Sequence, residues 1–122
     1  YNDKCKLFET DPSGALIEYK ATAIGAGRNQ VIDVFENNYK DDMTLDEAIE
    51  LALTAINEAT DHETSSDNVE IAVITKKDPS YKKISSEEVQ KYIDELVAKR
   101  EAEEAAKEDS EENENDDEET EE

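Results

Sequence analysis

Residues 11–31 read DPSGALIEYKATAIGAGRNQV, and the periodicity within them changes twice. Asp11-Pro12-Ser13-Gly14 matches the preferences of a type I turn, with Asp at the first position, Pro at the second and Gly at the fourth. After the turn the residues alternate: Ile17, Tyr19, Ala21 and Ala23 fall on one face, and Glu18, Lys20 and Thr22 on the other. That is a strand over 15–24 entered by a hairpin, whose first arm is the strand-forming run 6–10. The small Ala21 and Ala23 suggest a helix backbone lying close to the end of this strand. From Gly27 the spacing becomes helical, with Val31, Val34, Phe35 and Tyr39 as the stripe of a helix over 27–39.

Beyond this stretch the punctuation is regular. Thr44 to Glu47 form a T-x-x-E capping box, and Leu45, Ala48, Ile49, Ala52, Ile56 and Ala59 follow as the stripe of a helix over 45–60. A polar connector leads to a β-branched run, 69–76, which is too short for a helix and reads as a central strand. Asp78-Pro79-Ser80 is a second turn, and 81–84 a returning strand. Ser85 with Glu88 gives another capping box, and Ile84 with Val89 a hydrophobic staple, at the start of a helix over 86–105. Its stripe is Val89, Tyr92, Ile93, Leu96 and Val97. The order ββ-αα-ββ-α implies an α+β fold with at least partly antiparallel sheet and helices on one face.

The chain has 122 residues, 35 of them acidic against 13 basic, for a formal net charge of -22. Such a charge repels nucleic acid and anionic membrane surfaces. No apolar run approaches the ~20 residues of a bilayer span, so the expectation is a soluble protein. One Cys and one His exclude a disulfide framework, a Cys-rich zinc site and a Cys-x-x-Cys redox pair, and fit a reducing compartment. Residues 101–122 carry a net charge of -13, and from Glu108 onward there is no apolar residue. Nothing there offsets the ~1 to 2 kcal/mol of backbone entropy per ordered residue, so an acidic, disordered tail is expected over 101–122.

Several residues invite a chemical reading. Gly25-Ala26-Gly27 between strand and helix suggests a dinucleotide loop, but Gln30 stands where the third small residue belongs, and no second strand with an acidic end follows. The plainer expectation is that Gly27 lets the helix start pack close to the sheet. Lys20 and Arg28 near that helix start could hold an anion. His62 lies among Asp61, Glu63 and Asp67, either as a weak metal site or as a solvated loop histidine without a fixed partner. Cys5 as a nucleophile requires His62 and a third orienting group beside it. Among 35 carboxylates no chosen pair carries weight as general acid and base.

The segment at 11–31 resembles the second half of a proteasome α subunit of the archaeal type. MTLDEAIELALTAINEAT (43–60) is similar to that family's long capped helix, NVEIAVIT (68–75) to its next central strand, and SSEEVQKYIDEL (85–96) to its last helix. The β subunits share the D-P-S-G turn but usually continue into a G-S-G-S-like segment, whereas AIGAGR preceded by Lys20-Ala21-Thr22 follows the α pattern. The resemblance implies that residues 1–100 are part of the four-layer αββα sandwich of the N-terminal nucleophile hydrolases. It implies a non-catalytic, cytoplasmic component of the 20S core particle, whose partners are other α subunits in a seven-membered ring, β subunits and an ATP-driven unfoldase. The gating extension, the axial helix and the lysine-bearing activator pocket of the family are expected ahead of Tyr1, so no catalytic, cofactor-binding or metal residue is assigned within this chain. Tyr1 lacks the small hydroxyl side chain of the threonine nucleophile found in catalytic β subunits. Two other readings are a free-standing acidic protein-binding module and, on Gly25 and Gly27, a phosphate-handling enzyme.

Overall fold

The computed structural model describes residues 5–117, with side chains as far as Ser110; Tyr1 and residues 118–122 of the acidic segment lie outside the described residues. Strands β1 (Leu7–Thr10) and β2 (Leu16–Tyr19) pair antiparallel, with Leu7 opposite Tyr19 and Thr10 opposite Leu16. The turn between them closes where Gly14 N donates to Asp11 O at 3.0 Å and Asp11 N to Ala15 O at 3.3 Å. The Asp11 carboxylate also accepts from Ser13 N at 2.9 Å, Ala15 N at 3.2 Å and the Ser13 hydroxyl. The hydroxyl and the amides together hold the Asp11 carboxyl below the usual carboxylate range. Gly14 sits at φ +86°, a left-handed conformation that a residue without Cβ adopts at little cost.

The strand expected over 15–24 stops at Tyr19, because its partner begins at Leu7, directly opposite. A ladder needs a second chain segment, and among the described residues none pairs with the alternating pattern past Tyr19. The run 69–76 is shortened for the same reason. Only β3 (Ala72–Val73) pairs with β4 (Lys82–Lys83), extended by Ile84 N donating to Ile71 O at 2.9 Å. The two hairpins form two separate two-stranded sheets, both antiparallel, in line with the expected antiparallel pairing. The class is α+β, and the described residues do not by themselves assemble four layers.

Three helices join and follow the hairpins: α1 (Arg28–Asn38), α2 (Leu45–Ala59) and α3 (Ser86–Asp117). At the start of α2 the capping box is complete, Glu47 N donating to Thr44 Oγ1 at 3.2 Å and Thr44 N to Glu47 Oε2 at 3.0 Å. Asp46 and Glu47 add negative charge to the positive end of that helix. At α3, Glu88 N donates to Ser85 Oγ at 3.3 Å, and the staple residues Ile84 and Val89 are buried in one cluster. This helix runs to Asp117, well past the expected end near 105. Ala, Glu and Lys favour helix without any burial, and every side chain from Glu101 to Ser110 is exposed.

The core gathers Ile49 and Leu53 of α2, Val69, Ile84, and Val89, Ile93 and Leu96 of α3, with Ile71, Val73 and Tyr92 packed at its edge. Four residues of the expected α3 stripe therefore face it, while Val97 is exposed. Polar contacts fasten α2 to α3 above the core. The Tyr92 hydroxyl donates to Asp46 at 2.8 Å, which raises the phenol's pKa, and Lys99 Nζ lies 2.5 Å from Glu50.

Candidate assembly surface

The side chains singled out for chemistry are dispersed or already engaged. Lys20 pairs with Asp41 at 2.5 Å, an ion pair that raises the lysine and lowers the aspartate. Arg28 lies 3.9 Å from Glu9, which also accepts from the Thr22 hydroxyl at 2.9 Å. Both cations thus face carboxylates of this chain. Gly27 does support a close approach, but its neighbour is a helix: a Cβ added there would lie 2.9 Å from Ala59 Cβ, at the end of α2. The sequence holds the signal for a close contact in that glycine. It does not hold the partner.

His62 is not gathered with Asp61, Glu63 and Asp67. Its Nδ1 lies 2.7 Å from Arg100 of α3 and 3.0 Å from Asn57 Nδ2 of α2. Among the described residues no group of three or more His, Cys, Asp and Glu is arranged to hold a metal ion. The loop that carries His62 ends α2 by donating His62 N to Asn57 O at 2.8 Å, with Asp61 at φ +53° and His62 at +67°. Asn57, only 4% exposed, is the one buried polar residue among the described residues and is satisfied by His62 and by the Thr64 hydroxyl, which donates to Oδ1 at 2.9 Å. Cys5 is free and exposed. The helical pattern gave no warning of Asn57, which sits at a buried position of α2 where an apolar residue is the default.

What the structure does assemble is an apolar face. In α2 the buried residues lie along two sides: Ile49, Leu53 and Asn57 four apart toward α3, and Leu51 and Ala55 four apart on the other flank, where Leu51 borders Asn38 and Tyr39 at the end of α1. Leu45, Ala48, Ala52 and Ile56, the middle of the expected stripe, lie between those sides and are exposed. The stripe was legible; its burial was not. Ala48, Ala52 and Ile56 instead form one wall of a groove of about 370 Å³, whose other wall is the segment from Glu70 to Ile74.

The β1–β2 hairpin continues the theme. Phe8, Leu16 (63% exposed) and Ile17 stand out from it, and Ile24 beyond it is 85% exposed. Both hairpins also present free strand edges among the described residues. Scattered exposed apolar residues are normal; here Ala48, Ala52 and Ile56 line one groove, and strand edges are unpaired among the described residues. Among the described residues no helix is long and apolar enough to cross a membrane.

Comparison with known proteins gives this surface a context. A family model described as "Proteasome subunit" matches residues 1–74. The chain is 68% identical over 98 residues to the protein named "Proteasome subunit alpha" of Methanobrevibacter smithii, covering 80% of this chain and 39% of that protein. It is 55% identical over 100 residues to the protein of the same name from Methanothermobacter thermautotrophicus, covering 82% and 40%. The one from Pyrococcus abyssi is 52% identical over 103 residues, covering 84% and 39%. The chain thus spans about two fifths of the length of the curated relatives it matches.

Proposed function

The chain belongs to the proteasome subunit family, and on that footing we propose that it serves as a non-catalytic part of an α subunit in the ring of the 20S core particle. The observation that carries this reading is the 68% identity, over four fifths of the chain, to a protein named as an α subunit. Residues 1–100 are then the C-terminal half of an α-subunit domain, and 101–122 an acidic segment that follows it. The open wall of α2 and the free strand edges support this, because a four-layer αββα sandwich would place further sheet and helix against them.

In that setting the subunit works by position. It forms one segment of a seven-membered ring stacked on β subunits, lines the entry to a proteolytic chamber in the cytoplasm, and receives an ATP-driven unfoldase on its outer face. Hydrolysis belongs to the β subunits. The test is to co-express the native gene product containing this sequence with β subunits and to separate the products by size. A ring-sized particle that cleaves fluorogenic peptides only when β subunits are present supports the proposal. Peptidase activity that persists after the β subunits are removed, or a gene product that never enters a ring, overturns it. A monomer that instead binds basic proteins through its acidic helix would favour a free-standing binding module.

A further inference from the structure

We propose that His62 is a protonation-dependent clasp that fastens the end of α2 to α3 at the base of the acidic extension. An arginine carries only N–H donors and no acceptor. Arg100 at 2.7 Å from His62 Nδ1 therefore requires that nitrogen to present its lone pair, so the ring is neutral with its proton on Nε2. Asn57 Nδ2 donates to the same nitrogen from 3.0 Å, making a bond shared between two donors on two helices. The loop is wound for this purpose: His62 holds a left-handed backbone at φ +67°, and its own N–H is spent on Asn57 O at 2.8 Å. Ring, backbone and Asn57 side chain are locked together, and Asn57 is locked from its other end by Thr64.

Protonation replaces the lone pair on Nδ1 with a hydrogen, which then faces the donors of Arg100 and Asn57. The bond to Arg100 then has no acceptor, and an imidazolium stands against a guanidinium. The charged groups set against the ring are Arg100 from α3 and Glu58 from α2, with Asp61 and Glu63 adjacent in the loop. Glu58 lies 3.9 Å from both His62 Nδ1 and the Arg100 guanidinium. It is the acceptor to which either cation can turn once they separate. Arg100 is also partly buried, and after it every side chain from Glu101 to Ser110 is exposed. Opening the clasp therefore loosens the helix at the point where it leaves the core, and histidine is the side chain whose charge ordinarily changes between pH 5 and 8.

His62 is the chain's one histidine, so its titration is read without overlap. The experiment is a nuclear magnetic resonance titration of the isotope-labelled full chain from pH 8 to 5, following both imidazole nitrogens, the Asn57 amide group and the Arg100 guanidinium. At pH 8 the ring should be the Nε2–H tautomer. On acidification the Asn57 and Arg100 signals should move in the same single transition as the ring, and the protection of amides 60–63 relative to their intrinsic exchange rate at each pH should fall several-fold. In His62→Gln, whose carbonyl accepts but cannot titrate, those signals should keep their positions throughout. An Nδ1–H tautomer at pH 8 overturns the proposal, as does a ring that titrates while Asn57 and Arg100 stay still. Asn57 and Arg100 signals at unfolded positions at pH 8 overturn it equally.

Discussion

Gly27 has no Cβ, and the end of α2 occupies the space one would fill. Gly27→Ala should destabilise the chain by about 1 to 3 kcal/mol, because the new methyl meets Ala59 Cβ at 2.9 Å and both helix ends must shift. The backbone at Gly27, φ -86°, is open to any residue, so strain at that residue contributes nothing. Denaturant unfolding of Gly27→Ala, Ala59→Gly and the double variant isolates the contact. The double variant should be more stable than the sum of the single effects, and simple additivity would place the cost elsewhere. That a glycine here marks a close approach is readable from sequence. That α2 makes it, 32 residues on, depends on how two helices cross, which no local pattern encodes.

Within α3 two substitutions separate local from tertiary stabilisation. Ser85→Ala removes the acceptor for Glu88 N and should cost about 0.5 to 2 kcal/mol. Leu96→Ala should cost about 2 to 5 kcal/mol, because Leu96 is 6% exposed within the cluster and its loss leaves a cavity. Equal small losses would show that the helix does not belong to the core. Further along, removing residues 101–122 should leave the melting temperature nearly unchanged at physiological salt, since Glu101 to Ser110 cover nothing. At low salt the truncated chain should be slightly more stable, as a net charge of -13 no longer repels the body, and the gain should shrink once screening falls to about 8 Å. A large drop on truncation would mean that the extension is docked. Helix starts, caps and the staple were legible because they are made by residues within four or five positions of one another. The end of α3 was not, since helix propensity without burial leaves no stripe whose disappearance marks a stop.

For the molecule as a whole, the open wall of α2 and the unpaired strand edges predict self-association of the isolated chain. Free strand amides and carbonyls template pairing with another copy, while a net charge of -22 opposes it. Sedimentation should therefore show a monomer at low salt and larger species as salt is raised, and Ile56→Glu should shift that onset to higher salt. A monomer at every salt concentration would argue for a surface that needs no cover. The same wall shows where reading a chain residue by residue stops. The turn at Asp11, the box at Thr44 and the apolar stripe of α2 follow from short-range sterics, hydrogen bonding and spacing, and all three are present in the structure. Which part of that stripe is buried is a matter of partners. Ile49 and Leu53 meet α3, Leu51 borders the end of α1, and Ala52 and Ile56 between them line an open groove, although all are apolar residues of one helix. Burial is a property of two surfaces, and a sequence pattern describes only one of them.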